Sequence, residues 1–323
     1  MMYTGQVTPD PPQTIMPSPQ LAIPKCRGFG RNQDGLVRRE PMWSFHRAGQ
    51  VSNITKFIDE TLRAAGRLLC EFAGATLTVN DKLDTSVVTD ADLASEKLIL
   101  TRIADAFPGD ATISEEAGKS TVERIPGQAV WVVDPLDGTT NFANGYPYWC
   151  VSIARGRFDE RGKIQVEAGG VIDPLRQLCW VAEAGRGTWC GTRRVVLKSP
   201  RPLAKCLLVT GFYYTKGERL SHEIRRFERI AQECQSIRRD GAAALDMALV
   251  ANGTFDAFWE HGLQIWDLAA GALLIQEAGG VVRNYGGGSG WDLEGEGVIC
   301  GQPSVVWDLA SMIDLPDGKS PRF

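Results

Sequence analysis

The sequence predicts a two-part chain, an α+β half followed by an α/β half. Three observations carry this: apolar residues at helical spacing after residue 50, then consecutive strand-like stretches, and from Leu207 an alternation of strand and helix patterns. A chain of 323 residues hides roughly three quarters of the surface it exposes when unfolded, enough for one large or two moderate domains.

Val51, Ile54, Ile58, Leu62, Ala65, Leu69 and Phe72 recur at three- and four-residue steps and predict an amphipathic helix that stops at Gly74. A second helix follows in "TDADLASEKLIL", with Thr89 or Asp90 capping its first turn and Leu93, Leu100 and Ile103 facing inward. "AVWVV" (129–133) reads as a buried strand. "YWCVSIA", "QVEAGGVID", "QLCWVAEA" and "GTWCGTRRVVL" then read as an antiparallel meander. A boundary is expected near residue 200, in "KSPRPLAK", so that residues 46–200 form the first part and 201–323 the second. The second part should hold a strand "LLVTG", helices over 221–235 and Ala242–Ala251, and a strand "FDAFW". A helix over Asp267–Ala278, strands "GVVRNY" and "GVICG", and a helix near 304–312 complete it.

Composition narrows the class without naming a function. Charged residues at 23% and a net charge of -4 give no reason for bulk attraction to nucleic acid or anionic lipid. The eight cysteines are scattered and read as buried, reduced thiols, and the three histidines show no paired spacing, so a metal would be held by oxygen. No apolar run is long enough to cross a membrane, and a cytoplasmic location is expected. Residues 1–45 are rich in Pro, Gln and Gly and too poor in apolar residues to offset their chain entropy. Three readings stand for them: a disordered tail, a plastid-type transit segment, or sequence upstream of a true start at Met42.

Chemistry concentrates in the acids. "WVVDPLDGTTNF" ends the predicted buried strand with Asp134 and Asp137, whose mutual repulsion would raise one proton affinity unless a cation lies between them. A hard divalent ion such as Mg2+ resolves that conflict, since it takes carboxylate and carbonyl oxygens. Gly138 lets backbone approach a ligand, and Thr139 and Thr140 can open a helix whose amides face a phosphate. The same residues also read as an Asx-type turn with a helix cap. Glu115 and Glu116 in "ISEEAG", and Asp267 in "QIWDLAAGALLIQEAGG", read individually as a solvated turn and a helix cap.

Taken together, "ISEE", "DPLDGTTNF" and "WDLAAGALLIQEAGG" resemble the inositol monophosphatase family of Mg2+-dependent, lithium-sensitive phosphatases, over about Val51 to Ala310. The resemblance implies a layered αβαβα sandwich of the sugar-phosphatase type. It implies two or three Mg2+ ions held by Glu115, Asp134, the Leu136 carbonyl, Asp137 and Asp267, with Glu115, Thr139 and Asp90 as the catalytic groups. Substrate contacts carried over are Asp137, Gly138, Thr139, Ala243, Glu260 and Asp267, and Ala242 stands where many members have Ser or Thr. The implied activity is hydrolysis of a small phosphate monoester, inositol monophosphate first, by a homodimer with no membrane or nucleic-acid partner. Two alternatives remain. One is a fructose 1,6-bisphosphatase or nucleotide 3'-phosphatase, for which the twelve Lys and Arg against four Glu between Arg193 and Arg239 would bind a second phosphate. The other is a scaffold that uses that basic stretch to meet transcription or RNA partners.

Overall fold

A computed structural model describes residues 13–15, 52–73, 77–81, 87–117, 122–212, 217–286 and 290–315. In chain order the elements begin with β1 (Gln13–Ile15), α1 (Asn53–Phe72), β2 (Leu77–Asp81), β3 (Val87–Thr89) and α2 (Asp90–Ala106). Then come β4 (Ala111–Ser114), β5 (Ala129–Asp137), α3 (Thr139–Ala143), β6 (Cys150–Phe158), β7 (Ile164–Asp173), β8 (Leu178–Glu183), β9 (Gly187–Cys190) and β10 (Arg193–Val195). The remainder holds β11 (Leu207–Thr210), α4 (Glu218–Ala231), β12 (Ser236–Arg238), α5 (Ala243–Ala251) and β13 (Ala257–Glu260). It closes with α6 (Ile265–Glu277), β14 (Val281–Asn284), β15 (Val298–Gly301) and α7 (Pro303–Ile313).

A seven-stranded sheet has the order β10-β9-β8-β7-β6-β5-β4, and a five-stranded sheet the order β12-β11-β13-β15-β14. The larger is antiparallel except for the β4–β5 pair. The expected meander is therefore present, with "GTWCGTRRVVL" folded into the β9–β10 hairpin rather than one strand. The run "AVWVV" is apolar at every position because both faces of β5 are covered. Trp131 and Val133 pack with Ile58, Leu62 and Ile99 of α1 and α2, while Val130 and Val132 pack with Leu268 and Ala269 of α6. On the other side of α5 and α6 lie Val209, Phe258, Val298 and Cys300 of the smaller sheet. Its opposite face, through Leu208, Trp259 and Ile299, is closed by Ile230 of α4 and by Val305 and Leu309 of α7. Alternate strand residues thus serve alternate layers, and the order helices, sheet, helices, sheet, helices is the αβαβα sandwich.

The helix that begins the sandwich follows its sequence pattern. Ser52 caps α1 by accepting from the Thr55 amide, and Ile58, Leu62, Ala65 and Leu69 form its buried stripe. Val51 and Gly74, expected to bound it, lie outside the described residues. Helix α2 departs from its pattern: Leu93 is 49% exposed, and the buried face consists of Ala91, Asp92, Ser95, Glu96, Ile99 and Ile103. Polar residues occupy it because each has a partner at the site described below. Of residues 1–45, Gln13–Ile15 form β1, antiparallel to β2, so these three do not fit a segment without structure. An edge strand can be recruited through backbone hydrogen bonds without an apolar core of its own. Cys150, Cys179, Cys206 and Cys300 are buried free thiols as expected, whereas half-buried Cys70 is disulfide-bonded. No helix among the described residues is long and apolar enough to cross a membrane.

Candidate active site

Residues three apart in a regular strand point to opposite faces. Asp134 and Asp137 escape that rule because the β5–β6 register shifts between them: Asp134 pairs with Ser152 and Asp137 with Cys150, so three steps on one strand answer two on the other. The extra residue brings both acids to one side. Pro135 falls in the bulge, where its missing N–H costs no ladder bond.

Glu115 arrives by register. Ser114 pairs in parallel with Val133, so the residue after each strand position, Glu115 and Asp134, lie side by side, and the Glu115 amide donates to the Val133 carbonyl at 3.3 Å. Asp267 comes from a third segment, in the first turn of α6, where it accepts from the Gln264 amide at 2.7 Å. The helix-cap reading of Asp267 is therefore correct as geometry, and the same carboxylate also acts electrostatically on Asp134.

Asp137 doubles as a cap for a helix it does not belong to. Ala242 supplies no side-chain cap to α5, and the Ala244 and Leu245 amides donate instead to Asp137 Oδ2 at 2.7 and 3.4 Å. These are the second and third amides of the helix, the ones a Ser or Thr cap would satisfy. Ala243, expected at the substrate contact, is buried at that helix start. Asp246, one turn along, accepts from the Tyr148 hydroxyl and ties α5 to the segment leading into β6.

Burial raises the proton affinity of Asp134, Asp137 and Asp267, Asp137 to about 6. Glu115, Asp137 and Asp267 push Asp134 up further by repulsion, and Asp137 and Glu115 do the same to Asp267. Backbone amides oppose this at each residue but do not cancel it. Four acids from three segments therefore face one space. Each Asp of the three commits one oxygen to backbone amides, and the other makes no hydrogen bond among the described residues. Among those residues no group of three or more His, Cys, Asp or Glu side chains is placed so as to hold a metal ion. The donor chemistry nonetheless fits a hard divalent cation: oxygen only, anionic, with one spare oxygen on each Asp.

Beside the acids, Gly138 adopts φ of 91°, and a Cβ there would sit 3.0 Å from the Tyr148 carbonyl. No turn or loop hydrogen bond among the described residues uses the Gly138 or Thr139 amides. Thr139 Oγ1 faces Asp92 Oδ1 at 2.9 Å and the Leu136 carbonyl at 3.0 Å. The acid partner of Thr139 is thus Asp92, and the expectation of Asp90 is corrected. Successive helical residues turn by about 100°, so two positions on the same helix face roughly opposite ways. Asp92 points inward and Asp90 is exposed. The capping box Thr89-x-x-Asp92 was the signal in the sequence: the Thr89 amide and hydroxyl both donate to Asp92 Oδ2. Burial raises Asp92 to about 6 against the pull of these bonds.

Glu260 ends β13 on the same side, raised to about 8 by burial, with the Arg239 guanidinium opposing and Asp137 and Glu223 adding to the shift. Gly211, absent from the expected site, makes room for it: a Cβ there would fall 2.1 Å from Glu260 Oε2. Five members of the basic stretch bond to groups away from the site. Arg193 donates to Asn252, Lys198 to the Thr254 carbonyl, Arg201 to Asp256, Arg226 to the Ile313 carbonyl and Arg229 to the Met312 carbonyl. Among the described members of the stretch, Arg239 acts on a carboxylate of the site, Glu260.

Five layers and a carboxylate cleft at a strand end, flanked by a threonine and its buried acid, define a sugar-phosphatase type of α/β sandwich. The chain belongs to the inositol monophosphatase family, whose pattern it matches over residues 50–312. It is similar to "Nus factor SuhB" of Pseudomonas aeruginosa, 40% identical over 229 residues, which are 70% of this chain and 83% of that one. "Nus factor SuhB" of Escherichia coli (strain K12) is 37% identical over 255 residues, 78% of this chain and 92% of that one. Among solved structures, the extragenic suppressor protein suhB from Bartonella henselae superposes with a TM-score of 0.73 at 33% identity, over 83% of this chain and 100% of that one. An IMPase from Thermotoga maritima does so with a TM-score of 0.71 at 27% identity, over 81% and 97%. The relatives' name, that of a Nus factor, overturns the expectation of no nucleic-acid partner.

Proposed function

We propose that this protein hydrolyses a small sugar or polyol phosphate monoester with Mg2+, inositol monophosphate first among substrates. The observation that carries the reading is the meeting of Asp134, Asp137, Asp267 and Glu115 beside the Thr139–Asp92 pair. Glu115, Asp134, the Leu136 carbonyl, Asp137 and Asp267 would hold two or three Mg2+ ions. Bound there, the ions supply Lewis-acid activation of water and neutralise charge at phosphorus and the leaving oxygen.

The chain's own residues do the rest. The Gly138 and Thr139 amides receive the phosphate at the start of α3. Thr139 Oγ1 takes a proton from the attacking water as its own proton passes to Asp92 Oδ1, 2.9 Å away. An acid with a pKa of about 6 is matched to that task near neutrality. The new P–O bond forms as the ester P–O bond breaks, and the leaving alkoxide takes a proton from solvent. Glu260 and Asp267 meet hydroxyls of the polyol. A bisphosphate substrate is less well supported, because among the described residues of the basic stretch Arg239 is the one seen to act on a carboxylate of the site.

Phosphate release from inositol 1-phosphate, fructose 1,6-bisphosphate and adenosine 3',5'-bisphosphate, with and without Mg2+ and with added Li+, tests the reading. Turnover of the first, dependent on Mg2+ and inhibited by Li+, is expected; no release from any refutes it. A second reading, a role with transcription machinery, is favoured by the 40% identity to a relative named as a Nus factor. Pull-downs with wild type and Asp134→Asn separate the two, since partner binding should survive a change that abolishes hydrolysis.

A further inference from the structure

The buried polar face of α2 has a use beyond Asp92. Asp92, Ser95 and Glu96 are spaced so that all three look out of one side of the helix. Each reaches a different segment of the site. Asp92 accepts from Thr139. Ser95 Oγ donates to the Pro135 carbonyl at 2.8 Å, inside the bulge between Asp134 and Leu136. Glu96 is 9% exposed, and its Oε1 accepts from the Ser114 hydroxyl, the Glu116 amide at 3.1 Å and the Ala117 amide at 2.9 Å.

Those three donors surround Glu115 in the chain. With its own amide on the Val133 carbonyl, the turn that carries Glu115 is fastened on both sides, and the fastening atom is a single carboxylate oxygen. We propose that Glu96 is a positioning residue: it fixes the Ser114–Ala117 turn so that the Glu115 carboxylate is aimed at Asp134 before any ion or substrate arrives. The inference rests on the hydrolytic reading for its kinetic consequence, though not for its metal-binding one. Removing the acceptor leaves two amides and a hydroxyl without a partner, and the turn reorganises to find water. Groups that orient metal ligands from behind typically change metal affinity or activity by about 10- to 100-fold when lost.

The test compares wild type, Glu96→Ala and Glu96→Gln by Mn2+ binding, followed by the electron paramagnetic resonance of the free ion, and by kinetics with inositol 1-phosphate. Glu96→Ala is expected to weaken the tightest Mn2+ site by about tenfold or more and to lower kcat with KM changed less than about twofold. Glu96→Gln keeps an oxygen acceptor and should recover most of both. If Glu96→Ala fails to fold, Ser114→Ala takes its place, and a drop of about threefold or more in Mn2+ affinity is expected as one of three donors is lost. Mn2+ affinity within twofold of wild type in a folded Glu96→Ala protein, or in Ser114→Ala where that protein must decide, overturns the proposal. Wild type that binds Mn2+ without hydrolysing anything would sink the hydrolytic reading alone, and the binding comparison would still decide the role of Glu96.

Discussion

Replacing Glu260 by Gln gives a prediction whose size follows from one buried carboxyl. The unfolded chain ionises this group near 4.5 and the folded protein near 8, because burial outweighs the favourable field of Arg239. Below the lower value both states hold the proton and the native state bears no penalty. Between the two values the unfolded chain releases it and the folded one retains it, so stability falls as pH rises, by about 1.4 kcal/mol per pH unit. Above 8 the loss is complete, about 5 kcal/mol from the full span. Water reaching the exposed edge of the carboxyl screens part of this, and roughly half is retained. Gln cannot ionise, so Glu260→Gln should match wild type near pH 5 and exceed it by about 2 to 3 kcal/mol near pH 8.5. Urea unfolding of both proteins in chelator, at half-unit steps of pH, measures the difference. The other acids of the cleft titrate in both proteins and largely drop out of it. A gap that stays constant across this range, or one that grows in favour of wild type, would refute the placement of Glu260.

Two further changes probe the neighbouring groups. Asp92→Asn should lower kcat by roughly 100- to 10,000-fold, as loss of a positioned base does, whereas Asp90→Asn should leave it within about twofold; equal losses in steady-state assays would return Asp90 to the site. Gly211→Ala drives a methyl onto Glu260 and should raise KM for a polyol phosphate by about tenfold, the order of one lost contact, with Mn2+ affinity unchanged. An unaltered KM in a folded variant would separate Glu260 from the substrate.

Much of this was legible because the signals were local. The β5 acid pair could be seen at the end of an apolar run, and the run itself announced a strand covered on both faces. Motif position alone selects Asp90, whereas helical phase selects Asp92, and the capping box at Thr89 carries that phase. An apolar buried face would turn Leu93 inward, yet α2 buries Asp92, Ser95 and Glu96. Gly211 and Arg239 could not be placed at all, since their meaning comes from β11 lying parallel to β13 and from a turn between β12 and α5. Pairings at that separation leave no trace in a single sequence.

The carboxylate cleft is expensive to fold. Asp134, Asp137 and Asp267 are each pushed toward protonation by burial, and their mutual repulsion and that of Glu115 add to the cost. Backbone amides orient these acids, through Leu136, Ala244 and Gln264, without supplying a formal positive charge. The named causes of their shifts include no cation, and Arg239 acts on Glu260 instead. A surface that only met a protein or nucleic-acid partner would gain nothing from this arrangement, and neutral side chains of the same shape would relieve it. Cations bound from solution would remove the repulsion while leaving each amide bond in place. The cleft therefore favours an ion-dependent reaction at the site whatever other partners the rest of the surface meets.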